Sequence, residues 1–229
     1  MNATLVRPIT AEFVATALFV LAGAGAVVMN AVSANTLGPL AVGLVHGVAL
    51  AILVSMTLSI SGGHLNPAVT VALLVAGKVD RRTAGLYVLA QLAGAVVGAL
   101  LVKLLFPLQA GLVTSLGTPA MSVHVGDSLA KGATIEALFT FFLVSAVFGT
   151  AVAAEAPKLG GFAIGLVVFV GAIVAGPLTG AALNPARAFG PALVAWEWHG
   201  QAAYWIGPLV GGIAASLLWS RVLLPKAAR

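Results

Sequence analysis

Ser61-Gly62-Gly63-His64-Leu65-Asn66-Pro67-Ala68-Val69-Thr70 and Thr179-Gly180-Ala181-Ala182-Leu183-Asn184-Pro185-Ala186-Arg187 are two glycine-bearing runs, each leading into Asn-Pro-Ala. Asparagine is a favoured N-cap, and proline at the first helical position lacks only an N–H that would be orphaned there anyway. Both stretches therefore read as a loop followed by a helix start, and both lie between long apolar segments. The same local order twice in one chain is a far stronger signal than either copy alone.

The surrounding composition sets the solvent. Of 229 residues, 61% are hydrophobic and only 7% charged, with a mean hydropathy of +1.12; a soluble domain carries about 25% charged residues. The chain reads as an integral membrane protein, and its long apolar runs, without strict alternation, argue for helices over a barrel. The net charge of +5 reads as membrane topology, because no basic run exceeds Arg81-Arg82 and no nucleic-acid surface is expected. The absence of cysteine excludes disulfides, thiolate metal sites and cysteine nucleophiles. His124 and His199 stand isolated on loops, so no metal site and no cofactor are expected. No nucleophile–base–acid set is present, so no enzyme activity is expected.

Six apolar spans emerge at about 11–29, 40–60, 84–105, 133–153, 162–174 and 202–218. About 20 residues are needed to cross a ~30 Å core, which makes the fifth span the shortest candidate. The first span resembles a secretory signal in having Arg7, an apolar core and small residues at 22–26. Glu12, however, interrupts the start of its apolar run, and a related acid-bearing segment recurs at Glu136, so a retained helix is expected. The first Asn-Pro-Ala helix ends by Gly77, with Lys78 beside its negative end, and covers about 15 Å. The second runs to about Ala195, with Gly190-Pro191 as an expected irregularity. Neither can cross the bilayer, so both are re-entrant, with loops buried in protein or facing water.

The chain repeats itself. Asn66 and Asn184 are 118 positions apart, and Glu12 and Glu136 are 124 apart. Each half holds three spans, an odd number, so the halves lie in opposite orientation, as in many channels and transporters. The expected fold is an all-α membrane protein: six transmembrane helices plus two re-entrant half-helices in an inverted repeat. It forms a single transmembrane channel domain over residues 1–229, with halves at about 1–115 and 116–229. The two half-helices enter from opposite faces and meet near the midplane.

Positive charge gives the orientation. With both termini cytoplasmic, Arg7, Lys78, Arg81, Arg82, Lys158, Arg221, Lys226 and Arg229 lie inside, against Lys103 and Lys131 outside. Trp196, Trp198, Tyr204 and Trp205 fall where an outer aromatic belt would sit. The pairs Gly43/Gly47, Gly94/Gly98, Gly161/Gly165 and Gly207/Gly211 have the spacing of close helix packing.

Two helix N-termini facing each other each carry roughly +0.5 elementary charge, an electropositive midplane that repels cations and protons. Asn66 and Asn184 offer NH₂ donors there. The loops before them (Gly62, Gly63 and His64 in the first, Gly180 and Ala182 in the second) expose carbonyl acceptors that replace lost hydration. A water whose oxygen accepts from both amides cannot pass a proton along the file. The arrangement suits uncharged solutes and excludes ions.

Through Ala11-Glu12-Phe13, Ser61 to Thr70, Glu136, Gly176-Pro177, Gly180 and Asn184 to Pro191, the chain resembles an aquaporin, a member of the major intrinsic protein family, over essentially its whole length. The resemblance implies one pore per subunit and a homotetramer. It places Arg187 in an outer aromatic/arginine filter, with His46 at the second-helix position, Ala172 at the fifth-helix position and Ala181 in the loop. It makes Glu12 and Glu136 braces of the re-entrant loops, with a proton relay as the alternative, and sets His64 at the inner pore mouth.

The filter departs from the strict water-channel pattern of a Phe on the second helix and a His on the fifth. It is similar to plant vacuolar aquaporins and to animal aquaporins that pass ammonia and hydrogen peroxide. A passive channel for water and such small neutral solutes, excluding protons and ions, is therefore expected. Glycerol facilitators are less similar: they commonly carry Asp after the filter Arg, where this chain has Ala188, and lack the Tyr204-Trp205 pair. A glycerol or urea facilitator, an ion-coupled secondary transporter and a structural junction protein are the alternatives. The short termini suggest a prokaryotic, ungated protein of the cell (inner) membrane.

Overall fold

The computed structural model describes residues 3–126, 128–157 and 159–225; Lys158, Lys226 and Arg229, assigned above to the inner side, lie outside the described residues. The long helices are α1 (Ala3–Val32), α2 (Gly38–Ser61), α4 (Arg81–Leu105), α6 (Leu129–Val147) and α10 (Ala203–Leu218). Wider five-residue turns over Phe148–Val152 and Trp219–Leu223 prolong α6 and α10. Among the described residues, five helices are thus long and apolar enough to cross a membrane. The sixth, α7 (Phe162–Val174), has 13 residues and reaches only about 20 Å. A further turn, α8 (Gly176–Thr179), follows Ala175 with Thr179 N–H donating to the Ala175 carbonyl at 2.8 Å. Together they bring the helical chain to about 27 Å, close to the hydrocarbon thickness.

The half-helices α3 (Pro67–Val75) and α9 (Pro185–Ala195) begin at the two asparagines. The predicted stop at Gly77 is a Schellman turn: Gly77 has φ +69°, and its N–H and that of Lys78 donate to Leu74 and Leu73. The expected irregularity at Gly190-Pro191 does not occur, and α9 continues through both residues. Bare Gly190 is seated against the Ala95 backbone of α4, so packing holds the segment although Pro191 removes a helix donor.

The halves interlock. α1 lies on α4, α6 on α10, and α2 on α7, while each half-helix packs on the other half, α3 on α10 and α9 on α4. The four glycine pairs are close-approach points. A Cβ at Gly94 or Gly98 would strike the α1 carbonyls of Phe13 and Ala17, and one at Gly207 or Gly211 those of Ala133 and Ala137 on α6. Gly47 and Gly165 face each other's backbone, and Gly161 faces Ala51.

Polarity runs opposite to that of a soluble protein. Leu40, Leu44, Val48, Ile52 and Met56 form an exposed stripe along α2, and Phe162, Leu166, Val170 and Val174 another along α7. Glu12, Thr16, Gln91, Glu136 and Thr140 are fully buried. Such a surface needs an apolar cover, either hydrocarbon or the apolar face of another subunit. Tyr204 corrects the expected outer belt: it is fully buried and donates to the Thr179 carbonyl at 2.8 Å, leaving Trp196, Trp198 and Trp205 with Phe189 as the aromatic cluster.

The connection between halves holds α5 (Leu108–Val113), a short turn at Ser115–Gly117 and an extended stretch tied to α8 by Ser122 N–H donating to Leu178 O at 2.8 Å. A Gly211→Ala substitution should lower stability by about 1–3 kcal/mol, since overpacking against backbone cannot relax cheaply. Thermal unfolding in detergent checks it against Gly85→Ala, whose new methyl meets nothing within 4 Å; equal midpoints would contradict the packing account.

Candidate pore and selectivity site

The two loops share one backbone pattern. Gly62, Gly63 and Leu65 have φ of +89°, +61° and +52°; Gly180, Ala181 and Leu183, each 118 positions later, have +78°, +44° and +50°. For the leucines and Ala181 this left-handed conformation costs on the order of 1–2 kcal/mol each. It turns successive amide N–H groups toward one side of the loop, and that side meets a buried carboxylate.

Glu12 of α1 accepts from the Ser61 hydroxyl (2.6 Å), the N–H groups of His64 (2.9 Å) and Leu65 (2.7 Å), and Gln91 Nε2 (2.8 Å). Glu136 of α6 accepts from the Thr179 hydroxyl (2.7 Å) and the N–H groups of Ala182 (3.1 Å) and Leu183 (2.7 Å). Ser61 and Thr179 each also accept from the N–H two residues on, and Tyr87 and Tyr204 donate to their carbonyls. The wiring is the same in both halves except at Gln91, where α10 carries Pro208 at the corresponding place. Only Glu12 therefore gains the amide donor, which also reaches the Thr70 hydroxyl at 2.9 Å. Each carboxylate is occupied by donors from its own loop, the arrangement of a brace.

At the centre the asparagines do two jobs. Each Oδ1 caps its half-helix: Asn66 accepts from Ala68 N–H at 2.8 Å, and Asn184 from Ala186 N–H at 2.9 Å and Arg187 N–H at 3.3 Å. Each Nδ2 crosses to the opposite loop, Asn66 to the Leu183 carbonyl at 2.8 Å and Asn184 to the Leu65 carbonyl at 2.9 Å. The amide has two N–H donors, so one remains on each for a solute. Pro67, Ala68, Pro185 and Ala186 are buried behind the asparagines in the first turns.

Both asparagines, with Gly63, His64, Ala182 and Leu183, line a cavity of about 20 Å³ whose other wall is apolar, with Phe19, Leu50, Val54, Leu143, Ile164 and Val168 among its residues. That is little more than the ~10–15 Å³ one water requires. Gly63, His64 and Ala182 line this cavity, and Gly180 lines the outer chamber. Gly62 lines neither; it is the exposed left-handed cap of α2. The His64 ring meets the Thr70 hydroxyl at 3.1 Å through Nδ1 and packs edge-on against Tyr87.

His46, Ala172, Ala181 and Arg187 line one outer chamber of about 280 Å³. Arg187 is buried, its Nη1 donating to the Gly117 carbonyl at 2.8 Å and its Nη2 lying 3.2 Å from His46 Nε2. His46 Nδ1 lies 2.8 Å from the Val42 carbonyl. A carbonyl only accepts and a guanidinium only donates, so these contacts assign the Nδ1–H tautomer with Nε2 accepting. Both ring nitrogens are therefore engaged by protein. Arg187 Nε has no protein partner.

Several site residues escaped the sequence reading. Ser61 and Thr179, 118 apart, and Tyr87 and Tyr204, 117 apart, carried the repeat interval and could have been found by it. Gly117 carried no such signal, because it approaches Arg187 from the connection between halves.

With this geometry in place, comparison gives the family. The model for the major intrinsic protein family matches residues 1–219, and the chain belongs to that family. It is 37% identical over 236 residues to the "Probable aquaporin TIP3-2" of Arabidopsis thaliana, covering 96% of this chain and 85% of that one. It is 39% identical over 231 residues to the "Aquaporin TIP2-1" of Zea mays, covering 97% and 90%. With the "Probable aquaporin TIP-type RB7-5A" of Nicotiana tabacum it shares 40% over 222 residues, covering 93% and 86%. Its fold is similar to that of the aquaglyceroporin from Plasmodium falciparum, with a TM-score of 0.80, 24% identity and coverage of 96% and 97%. The chain is a multi-pass membrane protein of the aquaporin type, a passive channel for water and small solutes.

Removing one loop brace tests this wiring. Glu136→Ala leaves the N–H groups of Ala182 and Leu183 and the Thr179 hydroxyl without their acceptor, and each buried orphan costs ~1–3 kcal/mol. Water permeability per reconstituted protein should be lost, with a lowered unfolding midpoint; wild-type values for both would refute the brace.

Proposed function

We propose that this channel passes water together with ammonia and hydrogen peroxide while excluding protons and ions, and that His46, Ala172, Ala181 and Arg187 select the solute. The observation that carries the reading is the outer chamber, where a buried guanidinium and an imidazole face two alanines. Small side chains at 172 and 181 leave room beyond a single water, which favours small polar neutrals larger than water. A fixed guanidinium repels cations and donates to solute oxygens. Two half-helix N-termini and the remaining Asn66 and Asn184 donors add a second electropositive station further in. Gly63, His64, Gly180 and Ala182 supply the acceptors between them.

The same reading puts both termini in the cytoplasm of a cell with the protein in its inner membrane, supported by the surplus of Lys and Arg on that side. It makes the assembly a homotetramer, supported by the apolar stripes on α2 and α7. Native mass spectrometry reads the subunit number: four supports it, and a monomer at membrane-like protein density rejects it.

Stopped-flow measurements on proteoliposomes test selectivity. Water, ammonia and peroxide should all exceed protein-free vesicles, with glycerol near background; water alone above background would reject the wider filter. Arg187→Val should raise glycerol flux by about tenfold, the scale of a methylene-sized change in a pocket. Unchanged selectivity would remove Arg187 from the filter.

A further inference from the structure

One residue in contact with the His46 ring is on another helix and carries no side chain. Gly23 of α1 lies directly behind the imidazole: a Cβ built there would stand 2.6 Å from His46 Nε2 and 2.7 Å from its Cδ2. All three of the nearest atoms belong to that ring. This separates Gly23 from Gly94, Gly98, Gly207 and Gly211, whose missing Cβ clears a backbone carbonyl. Here the only group displaced would be a side chain of the outer chamber. We propose that Gly23 is a specificity-determining position of the channel: its bare Cα lets the imidazole lie back against α1, in reach of Arg187 and out of the solute's path. The proposal rests on the filter reading above.

The constraints on the ring come from three sides. Nδ1 is tied to the Val42 carbonyl one turn back on α2, and Nε2 accepts from Arg187 Nη2. Phe19, one turn below Gly23 on α1, meets the ring edge-on, with centroids 6.2 Å apart and planes at 87°. α1 thus forms the wall behind the imidazole, and the open space beside it is the chamber it lines. Carbon atoms rest about 3.5–4.0 Å apart, so a methyl at position 23 would drive the ring about 1 Å off α1. It would move into the chamber and disturb the 3.2 Å contact that it makes with the guanidinium. One methyl in α1 would therefore narrow the chamber and loosen Arg187, with no change at any of the four chamber residues.

The experiment compares hydrogen peroxide and water permeability in proteoliposomes for the wild type, Gly23→Ala, His46→Ala, the double variant and Gly85→Ala. Gly23→Ala should lower the peroxide-to-water ratio by about tenfold, as expected for a methyl-sized change in a selective pocket. The double variant should return to the ratio of His46→Ala, because without the ring the new methyl meets nothing in the chamber. Gly85→Ala, in open space on α4, should match the wild type. If His46→Ala changes the ratio and Gly23→Ala does not, the Gly23 assignment is wrong while the filter stands. If His46→Ala changes nothing, or the wild type passes no peroxide, the filter reading fails and this inference with it. Should Gly23→Ala not fold, recovery of folded protein in the double variant supports the collision; failure of both shows Gly23 to be a packing position and overturns the proposal.

Discussion

Two hydrogen bonds at the centre of the molecule hold its halves in register: Asn66 Nδ2 to the Leu183 carbonyl, and Asn184 Nδ2 to the Leu65 carbonyl. Each asparagine uses its oxygen to start its own half-helix and its nitrogen to grip the other half's loop. Capping and cross-bracing therefore fall on one side chain. Neither half-helix crosses the membrane, and neither loop could satisfy its backbone groups in lipid. The exchange turns two incomplete elements into a single station that presents one free N–H from each side. Substituting either asparagine would remove a cap, a cross-brace and a solute donor together.

The loops that reach this station are held from behind. Left-handed leucines at 65 and 183 are uphill conformations, and they persist because Glu12 and Glu136 accept the N–H groups those conformations turn outward. An isolated carboxylate buried in a membrane protein is costly. Here the cost is reduced by the donors each loop supplies, the Ser61 hydroxyl and two N–H groups at Glu12, the Thr179 hydroxyl and two N–H groups at Glu136. The lumen then follows from the division of labour. One wall carries the loops and asparagines, while the opposite wall is Phe19, Leu50, Val54, Leu143, Ile164 and Val168. A solute hydrogen-bonds along a line and slides on hydrocarbon elsewhere, so it is oriented without being trapped.

Much of this was legible because its chemistry is local. Asn-Pro announces a helix start, Gly77 a stop, and both asparagines appear with their glycines at a fixed interval. The buried acids were legible because charge inside an apolar span has few uses. What escaped reading depends on approach from far along the chain. Gly117 reaches Arg187 across 70 positions, and Gly23 makes room for a ring on another helix; neither has a local signature. Tyr204 was misplaced in an outer belt because an aromatic near a span end looks alike whether it turns outward or in. The Gly190-Pro191 pair promised a break, and packing on α4 overrode it. The short α7 was visible as a short span, while its continuation through Gly176-Pro177 was not, since that pair reads as an end.

On the proposed reading, a water at the central station accepts the remaining Asn66 and Asn184 N–H groups on its oxygen and turns its hydrogens outward on both sides. A file so oriented would not relay a proton, which is the proposed basis of proton exclusion. The most direct test is a paired measurement on the same proteoliposomes, with water permeability from osmotic shrinkage and proton permeability from the decay of an imposed pH gradient. The account predicts water permeability far above protein-free vesicles, with proton decay indistinguishable from theirs. Proton permeability that rises in step with water as protein density increases would contradict it.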